Sequence, residues 1–192
     1  MKNRIMRLIA GWLVILPLTN IALATFAFPD VDEDAPYADA VEYLNEIGIM
    51  QGDENGNFNP DKAVTRAEMA IIVCRVLGET ENLSASSAFS DVPVDHWANG
   101  YIGKAAELGI VNGLGNGMFG PSDTVTYEQT VAMIVRAIGG AEEAAGAGGY
   151  PDGFLAVAQI NGFLFGLNIQ KGTPLSRAYV ALILFNYFNN NY

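Results

Sequence analysis

Apolar residues recur along the chain at the three- and four-residue intervals of amphipathic helices. One such stripe comprises Ala40, Leu44 and Ile47, and a related one begins at Ile102 and continues through Ala105. A glycine typical of the left-handed position after a helix follows each first helix of the pattern, at Gly48, Gly109 and Gly162. The pattern therefore predicts short helices that end in glycine.

A second set of helices is predicted to begin at hydroxyl residues, namely Thr65, Thr126 and Ser176. Thr65 with Glu68, and Thr126 with Gln129, have the spacing of capping boxes. The loops at 52–60 and 113–121 are rich in Gly, Asn and Asp, which predicts tight turns around a short extended segment.

These elements belong to a repeat. Residues 28–78 match residues 89–139 at a gapless offset of 61, and a shorter, degenerate copy spans 144–190. Fixed-period self-similarity is typical of units that bury their apolar faces against one another. The connectors 79–87 and 140–149 are too short to separate independent domains. We therefore expect one mainly α-helical domain of three co-folded repeats.

The N-terminus resembles an export signal. Three basic residues precede an apolar run from Leu8 to Leu23, and Ala22 to Ala24 offer a small-residue cleavage site. An uncleaved membrane anchor is the alternative, although Pro17 interrupts a run that is short for spanning. Loss of residues 1–24 would move the net charge from −11 to −14. That charge argues against nucleic acid and against an anionic membrane surface as partners.

Metal and cofactor chemistry have little support in the sequence. Cys74 is the single cysteine and lies in an apolar helical stripe, which indicates a buried thiol. His96 is the single histidine and has no cysteine nearby for a transition-metal site. The loop beginning at Asp53 resembles a calcium loop, but Val64 stands where the bidentate glutamate belongs. We expect a turn there, no metal site and no cofactor.

Five motifs occur in fixed order over the two longer copies: Phe-x-Asp-Val, Trp-Ala-x-x-Tyr-Ile, Gly-Ile-Val-x-Gly, Asn-Gly-x-Phe-x-Pro and Thr-Arg-Ala-Glu. The second and third motifs are complete only in the second copy, and the last only in the first, since the second copy has Thr-Tyr-Glu-Gln there. Together the five motifs resemble the S-layer homology domain, and proteins of that family carry three such repeats. The resemblance implies a pseudo-threefold bundle of helix-turn-helix repeats with short extended segments in the loops. It also implies grooves between repeats that bind an anionic, often pyruvylated, secondary cell-wall polysaccharide outside a Gram-positive-type wall.

The resemblance implies the following glycan-binding residues: Arg66, Arg177, Trp97, Asp30, Asp91, Tyr150 and Tyr127. Tyr127 stands in the arginine place of the second copy, and Tyr150 stands in the tryptophan place of the third. The third copy also has Ala144 in the aspartate place. The three grooves are therefore not expected to be equivalent, and one or two are expected to be competent.

Elementary chemistry supports some of these assignments and offers alternatives to each. The planar fork of an arginine suits a sugar carboxylate, and Arg66 and Arg177 fall in the first helical turn, where backbone amides are expected to be free. Arg66 could instead pair with an acidic residue of the next repeat. Trp97 could stack on a sugar or anchor the core. Asp30 and Asp91 could bind sugar hydroxyls or act as structural caps.

Three functions follow as hypotheses. The first is a secreted module that anchors proteins noncovalently to the cell-wall polysaccharide. The second is a structural S-layer or protein-interaction subunit that packs on other exported proteins and ignores the glycan. The third, a wall-degrading enzyme, has least support because no placed pair of carboxylates is visible.

Overall fold

The computed structural model of the protein describes residues 27–80, 83 and 86–190. The predicted signal peptide, residues 1–24, lies outside the described residues. The helices, in chain order, are α1 (Ala38–Glu46), α2 (Arg66–Val76), α3 (Asn99–Glu107), α4 (Tyr127–Ala137), α5 (Ala141–Gly146), α6 (Asp152–Ile160) and α7 (Arg177–Asn190). No helix among the described residues combines the length and the apolar character needed to cross a membrane.

Local sequence signals account for where these helices begin and end. Thr65 and Thr126 each form a complete capping box with Glu68 and Gln129, as predicted. The glycine two positions after the end of each first helix adopts the left-handed conformation, with φ of 76° at Gly48 and 69° at Gly109. The predicted helix boundaries of the repeats are therefore confirmed.

The helices pack in a closed ring. The second helix of one repeat packs on the first helix of the next, so α2 packs on α3, α4 on α6, and α7 returns to pack on α1. In the last of these contacts Tyr43 of α1 lies edge-on against Phe185 and Phe188 of α7. The predicted mainly α-helical, pseudo-threefold bundle is confirmed.

The three extended segments before the second helices meet at the centre of this ring. The amide of Val64 donates to the carbonyl of Leu175, that of Leu175 donates to Val125, and that of Val125 donates to Val64, at 2.9, 3.0 and 2.9 Å. All three side chains are fully buried. These segments pair through isolated bridges such as that between Thr65 and Thr124. The loops thus join every repeat to both of the others.

The aromatic residue of each Asn-Gly loop faces inward. Phe58 and Phe119 are fully buried and pack on Phe28 and Phe89, with ring centroids 5.4 and 5.3 Å apart. The chain passes so close to these rings that a Cβ at Gly52 would lie 2.7 Å from Phe28 Cε1. Glycine is required there by the close approach, and the loop backbone is held directly against the core.

One helix is not predicted by the apolar spacing. The connector 140–149 contains α5, whose sequence is half alanine, the strongest helix former. It packs on α6, and its Ala144 is fully buried at the place of the motif aspartate of the other copies. Packing on a neighbouring helix, rather than a periodic stripe, therefore stabilises this short segment.

Candidate functional site: two grooves between repeats

Arg66 joins the first repeat to the second. Its Nε donates to the carbonyl of Phe119 and its Nη2 to the carbonyl of Asn112, each at 2.7 Å. The guanidinium also lies over the Phe119 ring, 4.5 Å from its centroid, and the residue is 7% exposed. Burial lowers the pKa of Arg66, although the fields of Asp123 and Asp91 act in the opposite direction.

Arg177 repeats this geometry between the third repeat and the first. Its Nε donates to Phe58 and its Nη2 to Gln51, each at 2.7 Å, and the guanidinium lies 4.5 Å from the Phe58 ring centroid. Burial lowers the pKa of Arg177, and the neighbouring charge of Arg75 adds to that effect. The two tetrad arginines thus occupy matched positions around the ring.

These contacts correct the electrostatic argument made from the sequence. The amides of the first turn of α2 are not free, because those of Arg66 and Ala67 donate to carbonyls of the second repeat and that of Glu68 donates to Thr65 Oγ1. Arg66 does not pair with an acidic side chain of the next repeat either, since its partners there are backbone carbonyls. Two of five guanidinium N–H groups are used in this way.

Tyr127 occupies the corresponding place in the second repeat without making the same contacts. It is 9% exposed, and its amide donates to the carbonyl of Thr173 in the third repeat. The same loop is held by Glu128, which accepts a hydrogen bond from the amide of Gly172. Burial raises the pKa of the Tyr127 phenol. This junction therefore contains a neutral aromatic ring where the other two contain a guanidinium.

A groove of about 190 Å³ lies beside Arg177, and we call it the Arg177 groove. Its floor comes from the first repeat, with Gln51, Gly52 and Arg75, and the second repeat contributes Trp97. Trp97 is 63% exposed and stacks on His96, with centroids 5.4 Å apart, so it does not anchor the core. Two arginines and one indole ring therefore face a single depression where three repeats meet.

The Arg66 groove is its counterpart, with a volume of about 270 Å³. The second repeat contributes Asn112, Gly113 and Arg136, while Tyr150 comes from the third copy. Tyr150 is 52% exposed and stands where Trp97 stands in the other groove. Burial raises the pKa of Tyr150, and the field of Arg136 opposes that shift. The structure thus brings the candidates together in two pairs, Arg177 with Trp97 and Arg66 with Tyr150.

Asp30 and Asp91 do not line either groove. The carboxylate of Asp30 accepts the amides of Phe58 and Asn59, and that of Asp91 accepts the amides of Phe119 and Gly120. For Asp91, burial raises the pKa, but these amide hydrogen bonds outweigh it, and the pKa lies below its ordinary value. Both aspartates therefore stabilise the loops whose carbonyls, at Phe58 and Phe119, accept hydrogen bonds from Arg177 and Arg66.

Sequence reasoning missed Arg75 and Arg136 as groove residues. Each lies in the last turn of its helix, where a basic residue is common because it complements the helix dipole. Arg75 Nη1 donates to the carbonyl of Ile49 at 3.3 Å, and Arg136 lies over the Phe154 ring. Their recurrence at the repeat offset, within the apolar second half of each helix, is the signal that could have indicated a second function.

Other polar candidates have structural roles. The Asp53 carboxylate accepts the amides of Asn55 and Asn57 and the side-chain amide of Asn59, which makes this loop a turn, as predicted. Cys74 is fully buried, and burial raises the pKa of its thiol from 9.0 to about 11. Among the described residues no group of three or more His, Cys, Asp or Glu could hold a metal ion.

Fold and site together define a class of protein: a ring of helix-turn-helix repeats with cationic and aromatic residues gathered in grooves between them. The S-layer homology domain family model matches residues 27–70 and 88–131. The chain therefore belongs to the S-layer homology domain family.

Proteins similar to this chain include surface proteins and one named as an enzyme. A cell surface protein of Thermoanaerobacter kivui is 41% identical over 165 residues, which cover 84% of this chain and 21% of that protein. A surface layer protein of Brevibacillus choshinensis is 32% identical, with 66% and 12% covered. An amylopullulanase of Thermoanaerobacterium thermosulfurigenes is 35% identical, with 63% and 7% covered. The chain thus spans about a fifth or less of these relatives.

Proposed function

We propose that the chain is an exported cell-surface anchoring module that binds an anionic cell-wall polysaccharide without a covalent bond. The observation that carries this proposal is the composition of the two grooves, each with two arginines and one exposed aromatic ring, against a single carboxylate, that of Glu68 in the Arg177 groove. In a chain of net charge −11, such local concentration of cations favours a bound anion. We propose no catalytic step for it.

Each groove residue has a distinct role in this proposal. Arg75 and Arg177 bind the acid group of a sugar in one groove, and Arg66 and Arg136 do so in the other, because guanidinium N–H groups match carboxylate oxygens. Trp97 or Tyr150 covers the apolar face of the sugar ring. We propose a ketal-linked pyruvyl carboxylate as this acid group, as the family resemblance implies.

The remaining assignments are part of the same proposal. Residues 1–24 act as a cleaved signal peptide, and residues 28–78, 89–139 and 144–190 act as three repeats of one domain. Asp30 and Asp91 support glycan binding indirectly by holding the loops, and Tyr127 fills a third junction that lacks the paired arginines. Relatives named as S-layer and cell surface proteins support a location at the cell wall of a Gram-positive-type bacterium.

The test is binding of residues 25–192 to purified cell-wall sacculi, with and without removal of their secondary polymer by mild acid. We expect binding that disappears after acid treatment. Because Arg66 and Arg177 also join repeats, the informative variant is the double substitution Arg75→Gln with Arg136→Gln. It should weaken binding at least tenfold and lower the melting temperature less than Arg66→Ala does, because Arg75 donates to a single backbone carbonyl and Arg136 packs on the Phe154 ring. Equal binding to treated and untreated sacculi would overturn the proposal.

A protein-interaction subunit is the second candidate function. Ile160 and Phe165 are 77% and 78% exposed, and apolar side chains so exposed are common at protein contacts. Such a subunit would self-associate or bind exported proteins and ignore purified polymer. Sedimentation of the chain alone, beside the sacculus experiment, distinguishes the two functions.

A further inference from the structure

The Arg177 groove continues past its arginine. A second cavity, of about 140 Å³, adjoins it and shares Gln51, Gly52, Glu68 and Arg177 with it. Asp53, Asn59 and Lys62 belong to this cavity but not to the first. A ligand lying across Arg177 would therefore reach a second set of polar groups, which we call the polar extension.

Side-chain hydrogen bonds organise the polar extension. Asn59 holds a left-handed backbone, with φ of 59°, and its side-chain amide donates to Asp53 Oδ2 at 2.9 Å. Lys62 Nζ lies 2.7 Å from Glu68 Oε1, while the lysine side chain remains 55% exposed. The Glu68 carboxylate also accepts the amide of Thr65, which fixes it at the start of α2. These polar groups are thus hydrogen-bonded to one another along the wall of the cavity.

The Arg66 groove lacks this extension. The three residues that correspond to Asp53, Asn59 and Lys62 are Leu114, Gly120 and Asp123. Leu114 Cδ1 lies 2.7 Å from the place that a Cβ on Gly120 would take, and Asp123 Oδ2 lies closer still. The leucine therefore covers the backbone where Asn59 presents its amide in the first repeat. An apolar side chain closes the position that is polar and open beside Arg177.

The charge of the polar extension indicates what it would hold. Arg177 also lines this cavity, but its guanidinium would be occupied by the acid group bound in the first cavity. The remaining charges are the ammonium of Lys62 and the carboxylates of Asp53 and Glu68, so a second acid group would be repelled. A neutral sugar offers hydroxyl groups that both donate to carboxylates and accept from an ammonium or an amide.

We propose that the Arg177 groove binds two consecutive sugars, an acidic one at Arg75 and Arg177 and a neutral one in the polar extension, whereas the Arg66 groove binds the acidic sugar alone. This inference rests on the proposed function. Under this proposal Asn59 and Lys62 determine how many consecutive sugars the Arg177 groove binds.

The experiment uses Trp97, because it is the single tryptophan once residues 1–24 are removed and it lines the Arg177 groove. The probes are the acidic monosaccharide and the acidic-neutral disaccharide, both made by chemical synthesis because acid hydrolysis of the wall polysaccharide would cleave a pyruvyl ketal. In fluorescence titrations of residues 25–192, we expect the disaccharide to bind about tenfold more tightly, which corresponds to about 1.4 kcal/mol.

Variants separate the two sugars. Asp53→Leu with Asn59→Gly copies the closed counterpart and should bring the affinity ratio near one, with monosaccharide binding unchanged. Lys62→Ala leaves the Asp53 turn intact and should lower the affinity ratio at least threefold. It tests the inference independently if the double variant does not fold. The matched control, Leu114→Asp with Gly120→Asn in the other groove, should leave the Trp97 titrations unaltered.

The outcomes are distinguishable. An affinity ratio near one in the unmodified chain, or a ratio that survives both variants, overturns the two-sugar inference and leaves the proposed function standing. Failure of both sugars to bind overturns the proposed function together with this inference.

Discussion

The amide of Val64 donates to the carbonyl of Leu175 at 2.9 Å, although 110 residues of chain separate them. This bond joins the first repeat to the third, and two similar bonds through Val125 complete the central triangle. Residues so distant in sequence are therefore adjacent at the point on which all three repeats converge.

Leu175→Ala should destabilise the whole ring. The side chain is fully buried at the centre, and removal of a buried leucine side chain costs about 3 kcal/mol because it leaves a cavity. Urea unfolding should show one transition, shifted to lower urea, since every repeat contacts this point. An early transition of the third repeat alone would contradict the view that the ring unfolds as a unit. Leu167→Ala, at a partly buried position, is the matched control and should cost less.

Arg66→Ala should cost about 3 kcal/mol of folding free energy, because two hydrogen bonds from a charged group to buried carbonyls are lost. Arg66→Lys should recover less than half, since an ammonium cannot span both carbonyls. Arg177→Ala should cost less, as Arg177 is only partly buried. Urea unfolding of the three variants measures this order. A loss of less than about 0.5 kcal/mol for Arg66→Ala would show that its two hydrogen bonds do not stabilise the junction between repeats.

Thr130→Val should raise the free energy of unfolding by about 1 kcal/mol. The Thr130 hydroxyl is buried and has no hydrogen-bond partner among the described residues, so its desolvation is uncompensated. The corresponding positions in the other copies are Met69 and Val180, both apolar and fully buried. Thermal unfolding beside Thr130→Ser, which keeps the hydroxyl, tests this assignment. A valine variant no more stable than the parent would argue against it.

Cys74 predicts a loss of stability at alkaline pH. Its pKa rises from 9.0 to about 11 on folding, so the folded state binds the proton more tightly. The associated stability is fully present below pH 9 and is lost as pH rises towards 11, by about 3 kcal/mol at most. Unfolding free energies at pH 8 and pH 10.5 measure the loss, and Cys74→Ala should show a smaller one. Equal pH dependence in both proteins would remove the thiol as the cause.

Trp97→Ala should separate binding from stability. The side chain is mostly exposed, so the melting temperature should change little. Loss of a ring that covers a sugar should weaken glycan binding about tenfold, close to 1.4 kcal/mol. Trp97→Tyr should retain part of the affinity, because Tyr150 occupies the same place in the other groove. A lower melting temperature with unaltered binding would give Trp97 a structural role instead.

Features that depend on neighbours in sequence could be predicted. Thr65 with Glu68 and the left-handed Gly48 require residues at most a few positions apart, so the pattern alone indicates them. The partners of Arg66, the carbonyls of Asn112 and Phe119, lie about fifty residues away and carry no side-chain signature. The sequence therefore marks Arg66 as a candidate site residue, whereas only the fold identifies the backbone carbonyls that it binds.

The groove arginines illustrate the same limit from the other side. Arg75 and Arg136 recur at the repeat offset, yet each also suits the end of a helix, and that local explanation was sufficient. Arg75 lies near Arg177 because α7 returns to the first repeat, and Arg136 lies near Arg66 because α2 packs on α4. A pairing created by packing between repeats has no counterpart in the spacing of one repeat.

The degenerate third copy contributes a component to each groove. Arg177 completes the groove whose floor is the first repeat, and Tyr150 completes the groove whose floor is the second. Substitutions in the third copy's own loop are thus compatible with both grooves. Deletion of the whole copy, in contrast, would remove a lining residue from each groove. In a closed ring of this kind, the copy least like its family consensus can be the one that the rest of the protein is least able to lose.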